Sequence, residues 1–198
     1  MAAEEARETT VHGVLMDVYG IGVLLLGESG TGKSECALDL VTRGHRLVAD
    51  DVVEVAREGE RILIGRGPTR IRHHMEIRGL GIINIRDLFG VAAIRHRKRI
   101  ELVALLEPWR PENEYDRLGL EEQTYPILGV EVPMLRIPVS AGRNMAILVE
   151  VAARNHLLKL MGVHAARNFT AQLSERPAGD ALEKDTADLP SLSQDDTE

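Results

Sequence analysis

Gly27-Glu28-Ser29-Gly30-Thr31-Gly32-Lys33-Ser34 decides how the rest of the chain is read. Before it, Val23-Leu24-Leu25-Leu26 has the length and bounds of a buried strand. After it, Cys36, Ala37, Leu40 and Val41 recur at helical spacing, and Gly44 supplies a stop. Strand, glycine-rich turn and helix form the context in which G-x-x-x-x-G-K-[ST] becomes a phosphate-loop expectation. Gly27, Gly30 and Gly32 permit positive φ and let backbone amides approach phosphate oxygens without a Cβ in the way. The helix N-terminus favours an anion, Lys33 brings a mobile charge to the outer phosphates, and the Ser34 hydroxyl is the expected Mg²⁺ ligand. Glu28, Ser29 and Thr31 complete the loop. The bland alternative, a glycine-rich turn with no ligand, leaves the strand and helix on either side unexplained.

A chain of 198 residues is long enough for one domain with a sizeable core. Its hydrophobic content of 44% and charged content of 28% are those of a globular protein. Aromatic residues make up only 3%, which argues against stacking platforms for single-stranded nucleic acid. The net charge of −7 is unevenly placed: residues 175–198 hold eight acids and two bases, so the body carries about −1. Such a body offers no electrostatic case for binding nucleic acid or a membrane. The single cysteine, Cys36, excludes an internal disulfide and reads as a small buried residue on the helix after the loop. With no signal-peptide pattern and no membrane-length apolar run, the expected location is the cytoplasm.

Residues 1–10 are polar and acidic and read as a disordered leader or a junction left by truncation. Val11 to Tyr19 reads as one strand, turning at Gly20-Ile21-Gly22 into the strand that feeds the loop, so the opening is expected to be a hairpin. His12 in that strand would ordinarily be a satisfied structural group. Leu47-Val48-Ala49-Asp50-Asp51 is an apolar strand ending in acids, about sixteen residues beyond the loop, the pattern in which a carboxylate reaches Mg²⁺ or its water. Two adjacent aspartates on a continuing strand point opposite ways. A division of labour is therefore expected, one facing the phosphates and the other supporting it or the metal. Val52–Val55 and Arg61–Ile64 read as a hairpin. Met75-Glu76-Ile77-Arg78-Gly79-Leu80-Gly81-Ile82-Ile83-Asn84 suits neither a regular helix nor a long strand, and reads as a tight buried turn or a functional loop. Lys98–Glu107 and Val130–Val139 read as strands, 108–122 as an exposed loop containing Arg117, and Ser140 to Asn144 as the opening of a long helix reaching about Met161. The wide apolar stripe of that helix implies burial on more than one side or packing on another subunit. The expected domain is 11–172, with an acidic disordered tail over 173–198. Arg70, Arg72, His73 and His74 form a basic run, read as a solvated patch with phosphate or effector binding as the alternative.

Three of these motifs together, Gly27 to Ser34, Val48-Ala49-Asp50-Asp51 and the decapeptide 75–84, resemble the catalytic domain of bacterial HPr kinase/phosphorylase, from about Val11 to about Met161. The resemblance implies an α/β fold: a P-loop nucleotide-binding core related to phosphoenolpyruvate carboxykinase, with a mixed sheet and flanking helices. It implies an enzyme that phosphorylates a serine of the phosphocarrier protein HPr with ATP, and removes that phosphate by attack of inorganic phosphate, releasing pyrophosphate. It also implies a homohexamer. Carried over by position, Lys33 would contact the β and γ phosphates, and Ser34 and Glu76 would hold Mg²⁺. Asp51 would take the seryl proton and His12 would stand beside it. Arg117 would act in catalysis, and the loop Pro138 to Arg143 would serve mainly dephosphorylation. Asp50, Arg78, Asn84 and Arg143 would play supporting parts. The competing readings are a small-molecule P-loop kinase and a nucleotide-sensing module without transfer activity.

Overall fold

The computed structural model of the chain describes residues 7–110, 122–140 and 142–174. In order, the elements are β1 (Glu8–His12), β2 (Val14–Val18), β3 (Ile21–Leu26), α1 (Lys33–Thr42), β4 (Arg46–Ala49), β5 (Val52–Glu58) and β6 (Ile62–Arg66). There follow β7 (His74–Ile77), β8 (Gly81–Asn84), α2 (Ile85–Phe89), β9 (Arg97–Arg99), β10 (Leu102–Pro108), β11 (Gln123–Ile127), β12 (Val130–Val139), α3 (Met145–Leu160) and α4 (Ala165–Ser174). The chain divides into two compact units, Met1–His164 and Ala165–Glu198. The first holds every strand and α1 to α3. The described part of the second is α4.

The central sheet has the order β11-β12-β10-β3-β2-β4. Both of its faces are covered, and its strands alternate between two cores. Val23 and Leu25 of β3 enter one core with α1 and α3, whereas Leu24 and Leu26 enter the other. The second core lies against the four-stranded sheet β1-β5-β6-β9 through Val53, Val55 and Leu63. Three flanking helices and a mixed sheet make this an α/β fold, as expected.

Direction within the central sheet places the site. β10 runs parallel to both β3 and β12. β2 is antiparallel to both β3 and β4, so β4 runs the same way as β3. The C-terminal ends of β3, β4, β10 and β12 therefore share one edge, and the segments 27–32 and 50–51 leave the sheet there. Crevices at such edges are where open α/β sheets bind ligands.

Val11 to Tyr19 is not one strand. It breaks at Gly13 into β1 and β2, which belong to different sheets. A Cβ at Gly13 would sit 2.6 Å from the Leu25 carbonyl oxygen, so only glycine allows β2 to lie this close to β3. The polar leader is likewise shorter than expected. Glu8 to Thr10 pair with Ala56 to Glu54, and the β-branched run Thr9-Thr10-Val11 suits an extended edge better than its polarity suggests. Decapeptide 75–84 forms most of the hairpin β7–β8, its turn at 78–80. Among the described residues no helix is long and apolar enough to cross a membrane.

Leu25 is fully buried and Leu80 is 71% exposed. Leu25→Ala should lower the unfolding free energy by about 2–5 kcal/mol, and Leu80→Ala by less than about 0.5 kcal/mol. Urea titration followed by circular dichroism checks both.

Candidate active site

The loop between β3 and α1 has the backbone the sequence implied. Gly27, Gly30 and Gly32 have φ of 146°, 87° and 86°. At Gly27 a Cβ would lie 2.3 Å from the Leu106 carbonyl oxygen, so β10 closes this position to any side chain. Gly32 is the N-cap of α1 and no side chain caps that helix, whereas Asn84 caps α2 and Asn144 caps α3. The first α1 amides thus keep their capacity to bind an anion, reinforced by the helix dipole. Lys33 is buried, and its Nζ donates to the carbonyls of Gly27 and Glu28 at 2.9 Å each. Those carbonyls hold the ammonium on the loop until a stronger acceptor replaces them. The Thr31 hydroxyl donates to the Glu28 carbonyl, and the Arg78 guanidinium lies over Gly30, 3.2 Å from where a Cβ would be. A second cation therefore faces the loop.

Asp50 and Asp51 point in opposite directions, although no strand continues through them: both lie in the bend between β4 and β5. Asp50 is buried. Its Oδ1 accepts from the Ser34 hydroxyl at 3.0 Å, and its Oδ2 accepts from the Glu76 backbone amide at 3.3 Å. Burial pushes its carboxyl above the usual range, and these two hydrogen bonds oppose that rise. Asp51 instead turns to solvent, with a backbone φ of 65°, and its Oδ1 lies 3.2 Å from His12 Nδ1. A left-handed aspartate after a strand is strained, which marks a position held by its surroundings. The constraint is visible: the Asp51 carbonyl accepts from the Gly13 amide at 3.0 Å, so the two chain crossings between sheets brace each other.

No group of three or more His, Cys, Asp or Glu side chains among the described residues is arranged as a ready metal cage. The donor set nevertheless fits Mg²⁺, which takes one or two carboxylates plus substrate phosphates rather than a protein cage. Asp50 is a buried carboxylate in want of a cation, Ser34 stands on it, and Glu76 joins it through its amide with an exposed side chain beyond.

The remaining expected residues are more scattered. Arg143 stays within its own loop, donating to the Pro138 carbonyl at 3.2 Å at the same sheet edge. Asn84 serves as the α2 cap, accepting from the amides of Arg86 and Asp87. Arg117 lies outside the described residues. Cys36 is a buried thiol pushed up to about 12 by burial and Asp39, an unreactive core residue. Sequence reading passed over Glu107, which accepts from Arg136 at 2.9 Å at this edge. An acid closing the apolar run of β10 repeats the pattern of residues 47–51 and was its available signal.

Fold and site together define an α/β protein with an anion-ready glycine loop beside a buried carboxylate. Residues 3–173 match the family described as HPr serine kinase C-terminal domain, and the chain belongs to that family. It is 58% identical over 179 residues to an HPr kinase/phosphorylase of Geobacter sulfurreducens, covering 88% of this chain and 56% of that relative. It is 55% identical over 170 residues to the HPr kinase/phosphorylase of Bacillus subtilis, covering 86% of this chain and 55% of that relative. The chain thus spans about half the length of these curated relatives. A solved structure, the Hpr(Ser) kinase/phosphatase from Coxiella burnetii, matches with a TM-score of 0.72 at 35% identity, over 85% of this chain and 99% of that one.

Because its folded pKa is raised, neutral Asp50 is favoured in the native state, so its contribution to stability is lost as pH rises through the folded pKa. Asp50→Asn should therefore melt at or above the parental temperature at pH 7–8 without divalent cation, with the gap closing towards pH 4. Mg²⁺-dependent stabilisation by nucleotide should be lost in the same variant. Thermal melts across pH with and without Mg²⁺ and ATP check this.

Proposed function

We propose that this chain carries the catalytic centre of an ATP- and Mg²⁺-dependent protein serine kinase acting on HPr, which also reverses the reaction by phosphorolysis. Its loop core would be of the P-loop type related to phosphoenolpyruvate carboxykinase. The observation that carries the reading is the placement of Asp51. An exposed carboxylate paired with an imidazole stands one residue beyond the Ser34–Asp50 contact, at the sheet edge where the glycine loop emerges. The relatives named as HPr kinase/phosphorylases add support from sequence.

In the forward direction the loop amides and the α1 N-terminus hold the ATP phosphates, and Lys33 exchanges its carbonyl partners for phosphate oxygens. When bound, Mg²⁺ supplies charge neutralisation on those phosphates, with Ser34, Asp50 and Glu76 as the residues to hold it. Arg78 adds positive charge over the loop. The acceptor seryl hydroxyl gives its proton to Asp51 as its oxygen attacks the γ-phosphorus and ADP departs. In reverse, an oxygen of inorganic phosphate attacks the phosphoseryl phosphorus, protonated Asp51 returns the proton to the seryl oxygen, and pyrophosphate forms. His12, 3.2 Å from the Asp51 carboxylate, sits where it can exchange that proton with it. Arg117 and the loop from Pro138 to Arg143 belong to the same reading, as charge clamp and as a loop serving the reverse reaction.

A protein acceptor agrees with the openness of this edge: His12 and Asp51 side chains are 58% and 65% exposed. Assembly as a homohexamer agrees with apolar surface on α3, where Val151 and Leu160 are 58% and 63% exposed. A cytoplasmic location follows from the same reading.

Incubation with ATP, Mg²⁺ and HPr should yield phosphoserine, and later addition of phosphate should yield pyrophosphate. Asp51→Asn should slow both directions by about 10²–10⁴-fold while leaving ATP affinity within about threefold. Phosphorylation at the parental rate would remove Asp51 from the base role. Arg143→Ala should lower phosphorolysis more than phosphorylation; equal losses would contradict a loop specialised for the reverse reaction.

A further inference from the structure

The run Arg70 to His74 is more than a solvated patch, because the fold adds cations to it from elsewhere. It leads into β7, at the open end of the hairpin whose turn, carrying Arg78, lies at the glycine loop. Four strand residues at about 3.3 Å each put the two ends roughly 13 Å apart, so this is a separate location. His96, from the segment beside β4, brings its ring to 5.6 Å from that of His73. Arg86 follows in the first turn of α2, and the His73 carbonyl accepts from the Ile85 amide at 2.8 Å, fixing α2 against the run. His73 itself is held at φ 69°.

The cations here lack carboxylates. Nearby Arg66, Arg95 and Lys98 each pair with an acid: Glu54, Asp17 and Glu101. Among the described residues, none of Arg70, Arg72 and Arg86 makes an ion pair. Arg72 reaches only the Thr69 hydroxyl, at 3.5 Å, and His74 Nδ1 meets the Arg72 carbonyl at 3.1 Å. Among the described residues, two shielded nitrogens, Arg72 Nε and His73 Nδ1, have no hydrogen-bond partner. Shielded polar atoms without partners are costly, and these two lie on adjacent residues within one cluster of positive charge.

We infer that Arg72, His73, His96 and Arg86 form a second oxyanion site, separate from the glycine loop, that takes the phosphate group of a small molecule. A tetrahedral oxyanion supplies several acceptors in a small volume, which suits a guanidinium Nε, an imidazole and a second guanidinium converging from different segments. Burial lowers the pKa of His73 first, then the like charges of His96, Arg72, Arg86 and His74 lower it further, and no acid offsets them. The acidic segment 175–198, with eight carboxylates, is the competing occupant of a different class. A single compact oxyanion places several acceptors against two adjacent shielded nitrogens at once, whereas the carboxylates of 175–198 are spread along the sequence.

The test follows the His73 and His96 ring signals of the full chain by NMR during titration with inorganic phosphate, against sodium chloride at matched ionic strength. Saturable shifts of both rings are expected with phosphate and not with chloride. Arg72→Gln with Arg86→Gln should weaken that apparent affinity at least about tenfold, as loss of charge-assisted hydrogen bonds implies, while leaving ATP affinity unchanged. Lys33→Ala should leave the His73 and His96 titration intact. Equal shifts with chloride, shifts that survive the double arginine substitution, or shifts abolished by Lys33→Ala would each overturn the site. So would a response that emerges only after the eight carboxylates of 175–198 are changed to amides, which would assign the cluster to that segment.

Discussion

The carboxylate of Asp50 joins three segments that the sequence keeps far apart. One oxygen receives the hydroxyl of Ser34 at the start of α1, and the other receives the amide of Glu76 in β7. Asp50 itself directly follows β4, so helix, hairpin and sheet meet on one side chain. Burying a carboxylate with only two donors is unfavourable, and the raised pKa records that cost. A protein keeps such a group where something else will use it. A cation bound against Ser34 and Asp50 would relieve the penalty and, in the same act, fix the hairpin relative to the glycine loop.

The outward neighbour of Asp50 depends on the same geometry. Asp51, held at φ 65° in the bend between β4 and β5, turns outward where Asp50 turns inward, and the crossing of β4 into β5 beside that of β1 into β2 delivers His12 to it. Gly13 permits that crossing and the Gly13–Asp51 backbone bond braces it. Pairing a solvent-facing carboxylate with imidazole gives two groups in reach of each other that can accept or return a proton. The loop that grips an anion, the buried acid suited to a cation and the exposed acid suited to a proton thus stand at one sheet edge. They are there because β3 and β4 run in the same direction.

Much of this was legible in the residues. The glycine loop, its strand and helix follow from composition and spacing, because glycine requirements and apolar periodicity are local signals. Opposed directions for Asp50 and Asp51 were expected from a continuing strand, but the chain bends between β4 and β5, and the left-handed backbone of Asp51, invisible in the sequence, sets them instead. The break at Gly13 was hidden because apolar residues continue across it, and only the approach of Leu25 from another strand makes glycine necessary there. Decapeptide 75–84 was ambiguous for a similar reason: a four-residue strand on either side of a glycine-rich turn is too short for periodicity to declare. The association of His96 and Arg86 with the 70–74 run arises from tertiary packing and leaves no mark in sequence spacing.

The most direct measurement is a crystal structure of the chain with Mg²⁺ and a non-hydrolysable ATP analogue. The expected result has Lys33 Nζ transferred from the carbonyls of Gly27 and Glu28 to phosphate oxygens, Mg²⁺ against Ser34 and Asp50, and open space for a hydroxyl between Asp51 and the γ-phosphorus. An analogue seated elsewhere, or an Asp51 carboxylate walled off from the γ-phosphate by protein, would contradict the account.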